Sequence, residues 1–156
     1  MITTVTLITM QPNLVAQALR QHPDIEITLV DALDRRSLPL PSSADSILVT
    51  YRCPRLINAE YYSRFRLAVN IHPSLLPRYA GLNPWQEMFA NGETSGGVTI
   101  HRLSPQADQG EIIMQQSFRF PTPISLDTAR HEADRLATEM IVMLIEQSTR
   151  QKQFGL

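Results

Sequence analysis

The sequence predicts an α/β fold: an open, mostly parallel sheet with helices on both faces and an antiparallel element late in the chain. Two observations predict it. Short β-branched and apolar runs alternate with helical spacings through the first half of the chain. Two strand-like runs then follow one another around a turn before a long amphipathic stretch. Parallel neighbours need long crossovers, whereas strands joined by a turn pair antiparallel, so the order of elements sets the character of the sheet. At 156 residues the chain has the length of one domain, and a single domain over residues 1–156 is expected.

Residues 3–9 read as the first strand. In the helix that follows, Pro12 suits the first turn, and Leu14, Ala18 and Leu19 carry the apolar spacing up to about His22. Residues 26–30 and 46–50 read as the second and third strands, with a Pro- and Ser-rich segment between them. Residues 58–65 suit a short helix, and residues 66–71 a buried strand ending on Asn70-Ile71-His72. With Asn83 as cap and Pro84 at the first helical position, a helix opens that closes near Asn91-Gly92 and sets Trp85 in the core. Residues 97–103 and 111–120 form two strands around the turn from Pro105 to Gly110, with Ile112, Met114, Phe118 and Phe120 expected on one face. From a cap at Ser125, the residues Leu126, Ala129, Ala133, Leu136, Ala137, Met140, Ile141 and Leu144 make one apolar helical stripe.

Composition excludes several function classes. A formal charge of −1 lacks the basic excess that a nucleic-acid or anionic-membrane partner favours. One cysteine, Cys53, admits neither an internal disulfide nor a multi-cysteine metal centre, and no metal site is predicted. The N-terminus reads as a strand and not as a signal peptide, no apolar run reaches membrane-spanning length, and the expected localisation is cytoplasmic. No glycine precedes Gly81, so the Rossmann-like outline carries no dinucleotide or P-loop fingerprint.

Chemistry is concentrated in Asn70-Ile71-His72-Pro73-Ser74-Leu75-Leu76-Pro77-Arg78-Tyr79. Alternate residues of a strand face the same way, so Asn70 and His72 face a common space beyond a strand's C-terminal end, where open α/β sheets bind ligands. An imidazole moves protons near neutral pH and an amide N–H can hold a developing oxyanion, which suits acyl transfer. On spacing alone, a capping Asn70 and a satisfied strand-end His72 explain the pair equally well. Asp108, shortly before Gly110, is by itself ordinary turn chemistry.

Taken together, NIHPSLLPRYAG, NGETSGGVTIH and ADQGEII resemble the folate-dependent formyltransferases in order, wording and spacing, over about residues 46–120. The resemblance implies a Rossmann-like formyltransferase fold and transfer of a formyl group from 10-formyltetrahydrofolate to a primary amine. It implies a catalytic triad of Asn70, His72 and Asp108, the aspartate lying 36 residues after the histidine. It makes Ser74, Leu75, Leu76 and Pro77 the signature loop and His101 a histidine common at its place. Tyr51, Arg52, Cys53, Ala107 and Gly110 become candidates for the folate pocket, with backbone mattering more than side chains near Tyr51. His101 can equally be a sheet histidine satisfied by its neighbours.

The sequence also departs from that family. The span from Val30 to Ser46 has no room for the helix, strand and helix that longer members place there, and no C-terminal domain is expected after the last helix. Where the glycinamide ribonucleotide enzymes carry a Gly-rich phosphate loop, this chain reads Thr9-Met10-Gln11-Pro12-Asn13, and proline has no N–H to offer an anion. The expected acceptor is therefore an amino-sugar nucleotide or an amino-acid-derived amine, with glycinamide ribonucleotide and transfer RNA disfavoured. Two alternatives stand beside it: a formyltetrahydrofolate hydrolase, disfavoured because such members carry an extra N-terminal domain, and a folate-binding module without catalysis, disfavoured because all three triad residue types are present.

Overall fold

The computed structural model describes residues 1–10, 14–120 and 125–153. Gln11, Pro12 and Asn13, on which the phosphate-loop expectation partly rests, lie outside them. The described elements are β1 (Thr3–Thr9), α1 (Leu14–Gln21), β2 (Ile25–Asp31), β3 (Ile47–Tyr51), α2 (Ala59–Tyr62), β4 (Leu67–His72), α3 (Pro84–Ala90), β5 (Ser95–Arg102), β6 (Ile112–Arg119) and α4 (Leu126–Gln153). The six strands lie in the order β2-β1-β3-β4-β5-β6. β1 pairs parallel with β2 and β3, and β3 with β4, while β5 runs antiparallel to both β4 and β6. The late antiparallel element is thus β5, and the expected open, mostly parallel sheet is observed.

Side-chain alternation divides the core. Val5, Leu7, Val49, Tyr51, Val69, Ile71 and Ile100 face a large cluster with Val15 and Leu19 of α1, Trp85 and Met88 of α3 and the Ala129-to-Ile145 stripe of α4. Ile8, Leu48 and Ala68 face the other way, onto a smaller cluster with Tyr61 and Phe65. Helices therefore cover both faces, and the smaller cover leaves the strand ends on its side for other uses. Between Asp31 and Ile47 no described residue is helical or in a strand, as the short connection predicts.

The expectation for β6 needs one correction. Ile112 does not share the core face: it is 44% exposed, whereas Ile113 and Met114 pack on the large cluster. The cause is a register shift. Ile100 pairs with Met114 but His101 pairs with Ile112, so the strand holds one extra residue and Ile112 turns outward.

Tyr51 shows how β3 is tied to α4. Its ring is buried, its hydroxyl donates to Asp134 of α4, and Arg52 Nη2 reaches the same carboxylate at 3.1 and 3.2 Å. Burial and the adjacent Asp134 carboxylate push the Tyr51 phenol far above its ordinary range, so it stays a neutral donor. Tyr51→Phe should cost about 1–2 kcal/mol, one net hydrogen bond. Asp134→Ala should cost more, about 3 kcal/mol, because it strands both a buried hydroxyl and a half-buried guanidinium. Urea denaturation of the two variants checks the order, and equal midpoints would remove Asp134 as the tie.

Candidate active site

The site is assembled where β3, β4 and β5 lie side by side. Thr50 pairs with Asn70, and Asn70 with His101, so the three stand in one row across the sheet, on the side of the smaller cluster. The Thr50 hydroxyl donates to Asn70 Oδ1 at 2.7 Å, and Asn70 Nδ2 lies 3.1 Å from His101 Nε2. His101 Nδ1 faces the Arg102 carbonyl at 2.9 Å. A carbonyl only accepts, so Nδ1 carries the ring proton and Nε2 offers its lone pair to the Asn70 amide. One proton of Asn70 Nδ2 is thereby used. The other makes no bond to any described residue.

Burial holds the His101 ring below the usual histidine value of 6.5, against the opposing pull of the Arg102 carbonyl and Asp108. The folded state therefore prefers the neutral ring. Its contribution to stability is whole above pH 6.5 and declines as the pH falls from there toward the lowered value.

His72, at the end of β4, is 5% exposed. Its Nε2 donates to the Tyr79 carbonyl at 2.8 Å, which turns Nδ1 toward Asp108 Oδ1 at 3.4 Å. The same carboxylate oxygen is 3.8 Å from His101 Nε2, so it stands between two imidazole nitrogens. Asp108 Oδ2 accepts the Gly81 N–H at 2.8 Å. Asp108 sits at φ +58° and Tyr79 at φ +56°, left-handed conformations that cost of order 1–3 kcal/mol where a bulky side chain adopts them, least for aspartate. Both are held in place, Asp108 by Gly81 and Tyr79 through its hydroxyl, which donates to Glu93 at 2.7 Å.

The loop from Ser74 to Pro77 is clamped from β5 and β6. Thr99 Oγ1 donates to the Ser74 carbonyl at 2.7 Å and accepts from Leu76 N at 3.1 Å and Gln115 Nε2 at 2.9 Å. Gln115 Nε2 also reaches the Leu76 carbonyl at 2.8 Å, and the Leu76–Pro77 peptide is cis. Leu75 lies over Gly97, where a Cβ would stand 2.4 Å from its side chain. Ser74 Oγ donates to the Arg78 carbonyl at 2.7 Å, closing the turn that presents Tyr79.

Of the residues expected at the site, the structure brings Asn70, His72, Asp108 and His101 together and sets Ser74 to Pro77 beside them. The Tyr51 ring is elsewhere, because alternation along β3 sends it into the large cluster. The Arg52 side chain pairs with Asp134, while its carbonyl accepts the Met10 N–H at 3.2 Å. Cys53 packs on the smaller cluster, and burial raises its thiol pKa. Ala107 is exposed at the turn before Asp108, and Gly110 presses against the Arg102 carbonyl, 1.7 Å from where a Cβ would lie. Sequence reasoning missed Thr50, Thr99, Gln115 and the Tyr79 carbonyl. A register for β3 against β4 would have found Thr50; no local signal marks the carbonyl.

The family model for formyl transferase matches residues 37–146, well over half of the chain. The chain belongs to the formyl transferase family. It is 30% identical over 100 residues to the methionyl-tRNA formyltransferase of Borreliella burgdorferi (strain ZS7), an alignment covering 64% of this chain and 31% of that one. It thus spans about a third of the length of the curated relatives it matches. The formyltransferase PseJ from Anoxybacillus kamchatkensis, solved in complex with UDP-4,6-dideoxy-4-formamido-L-AltNAc and tetrahydrofolate, superposes with a TM-score of 0.75 at 24% identity, over 96% of this chain and 78% of that one. Glycinamide ribonucleotide transformylase 1 from Symbiobacterium toebii superposes with a TM-score of 0.71 at 18% identity, over 94% and 89%. At such identities the likeness is one of fold, the formyl transferase fold expected from the sequence. No described helix is long and apolar enough to cross a membrane.

Gly110 offers a test of how tightly this formyl transferase site is built. In Gly110→Ala a new methyl would meet a backbone oxygen, so the Asp108 turn must shift. The shift should change the amide signals of Gly81, His101 and Asp108 in nitrogen-15 NMR, with helix content unchanged by circular dichroism. Wild-type amide signals at those residues would show that the turn has slack.

Proposed function

We propose that this protein, as one catalytic domain over residues 1–156, moves the formyl group of 10-formyltetrahydrofolate to a primary amine. The observation that carries this reading is the convergence of a free Asn70 N–H, the His72 ring and the Asp108 carboxylate at one set of strand ends. In this mechanism the amine nitrogen attacks the formyl carbon, and the carbonyl oxygen becomes an oxyanion. Asn70 Nδ2–H donates to that oxygen, and the His72 ring stands beside it as the second stabilising group. Asp108 accepts the proton that the nitrogen loses and returns it to N10 as the carbon–N10 bond breaks. Tetrahydrofolate leaves and the formamide remains, with atoms and charge balanced. Each oxyanion donor is typically worth about 10²- to 10³-fold in rate.

The folate would lie across the Arg52–Cys53 and Ala107–Gly110 segments, mainly on main-chain groups, since Tyr51 is turned away and Arg52 is engaged with Asp134. PseJ binds a formylated amino-sugar nucleotide and tetrahydrofolate, which supports an amino-sugar nucleotide as acceptor. Phosphate capture after β1 is disfavoured: the Met10 N–H is already given to Arg52. Charge-assisted hydrogen bonds contribute roughly 1.5–3 kcal/mol each, so each donor withheld from a phosphate forgoes about ten- to a hundredfold in affinity.

Asn70→Ala, His72→Ala and Asp108→Asn should each lower turnover by at least about 10²-fold with folded spectra unchanged. Unchanged turnover in Asp108→Asn would sink its part in proton transfer. For the acceptor, steady-state assays compare UDP-4-amino-4,6-dideoxy-L-AltNAc, amino acids and glycinamide ribonucleotide, read by release of tetrahydrofolate. The amino-sugar nucleotide should have the highest catalytic efficiency. If the ribonucleotide does, the phosphate-loop argument is wrong, and formate release without any acceptor would mark a hydrolase.

A further inference from the structure

We propose that His101 is a positioning residue that selects which end of the Asn70 amide faces the reacting group, so that protonating its ring turns that amide over and switches the oxyanion donor off. The proposal rests on the reading of Asn70 as that donor. It concerns a group that makes no contact with the substrate.

The Asn70 amide has a hydroxyl on one side and an imidazole on the other. A hydroxyl can donate or accept, so Thr50 satisfies either orientation of the amide. The imidazole cannot. With Nδ1–H committed to the Arg102 carbonyl, a neutral His101 has only a lone pair at Nε2, and a flipped amide would set Oδ1 against it. The neutral ring therefore enforces Nδ2 toward itself and leaves the second N–H of that nitrogen for the oxyanion.

Protonation reverses the selection. A charged His101 carries N–H at both ring nitrogens, and Nε2–H would then oppose the Asn70 NH2. Turning the amide by 180° resolves the conflict: Oδ1 accepts from Nε2–H, and Nδ2 donates to Thr50 Oγ1. Every bond in the row is remade, at the expense of a carbonyl lone pair where the free N–H had been. The row thus has two satisfied arrangements, and one proton decides between them.

Among the described residues, two other titratable groups face this ring. Asp108 Oδ1, on the turn after β5, is 3.8 Å from Nε2, beyond hydrogen-bond distance; His72 of β4 is the other. Asp108 favours the charged ring, while His72 and burial oppose it, and burial dominates. Gly110 packs 3.3 Å from His101 Nδ1, counted from where its Cβ would be, and fixes the ring from that side.

The test uses nitrogen-15 NMR of the whole chain between pH 7.5 and 4.5, with steady-state kinetics on 10-formyltetrahydrofolate and UDP-4-amino-4,6-dideoxy-L-AltNAc. At pH 7 His101 should be the Nδ1–H tautomer, with scalar coupling between its Nε2 and Asn70 Nδ2. On acidification the coupling should vanish in the same transition that protonates the ring. An Nε2–H tautomer at pH 7, or an Asn70 amide unmoved as His101 titrates, overturns the proposal. His101→Gln keeps an acceptor oxygen without a titrating ring and should hold kcat within about threefold of wild type and extend it to lower pH. His101→Phe should lose at least tenfold in kcat with KM for the folate within twofold. If His101→Gln falls off at the wild-type pH, the acid loss belongs elsewhere and the switch is overturned. Asn70→Ala separates the two claims: full kcat there removes Asn70 from catalysis, whereas impaired Asn70→Ala with unimpaired His101→Phe removes only the positioning role. Should the sugar nucleotide prove no substrate, the acceptor reading fails and the NMR arm still decides this one.

Discussion

One amide, strung between a hydroxyl and an imidazole across three strands, is the constraint on which the rest of the site depends. Thr50, Asn70 and His101 can stand in a row only because β3 and β5 flank β4 in registers that set all three on one face. The antiparallel direction of β5 matters here. Running antiparallel, β5 ends back toward the start of β4, with Arg102 beside Val69, and the turn that follows returns Asp108 to His72 and His101.

Around that row the chain adopts conformations it would not choose alone, and neighbouring contacts hold them. Tyr79 and Asp108 have positive φ, and Arg52 at the end of β3 does too, at +49°. Each is over-determined: Tyr79 by Glu93, Asp108 by the Gly81 N–H, and Arg52 by the Met10 N–H on its carbonyl. Thr99 performs the same service for the signature loop, using its one hydroxyl as donor and as acceptor for two groups. Local strain at a site is tolerated when surrounding bonds fix it, and the fixed geometry is then ready before substrate arrives.

How much of this the sequence disclosed depends on whether the signal was local. Each strand was legible to within a few residues from periodicity, and the α4 stripe up to Leu144, with the buried Ile145 missed, because alternation and helical spacing are properties of a continuous segment. Asn70, His72 and Asp108 were legible through wording and spacing, and the structure sets them side by side. Tyr51 was expected just after the third strand; it is the last residue of β3, and its parity with Val49 sends its ring into the core. Ile112 was misassigned because a one-residue register shift leaves no mark in the sequence. Thr50 meets Asn70 across 20 residues through the β3–β4 register, and the Tyr79 carbonyl meets His72 across 7 residues through the turn after β4.

The formyl transferase frame explains why a chain with so short a span between β2 and β3 can still present a complete row at its strand ends. All contributors lie in β3, β4 and β5 and in the loops after β4 and β5, which the family model spans. The central claim is that Asn70 aims its free amide proton at the formyl oxygen. The most direct measurement is a crystal structure with the stable analogue 5-formyltetrahydrofolate at neutral pH. The account predicts the folate across the Arg52–Cys53 and Ala107–Gly110 segments, with the formyl group in the space between Asn70 and His72 and its oxygen about 3 Å from Asn70 Nδ2. A folate bound with its formyl group out of reach of Asn70, or an Asn70 amide presenting Oδ1 to it, would contradict the account.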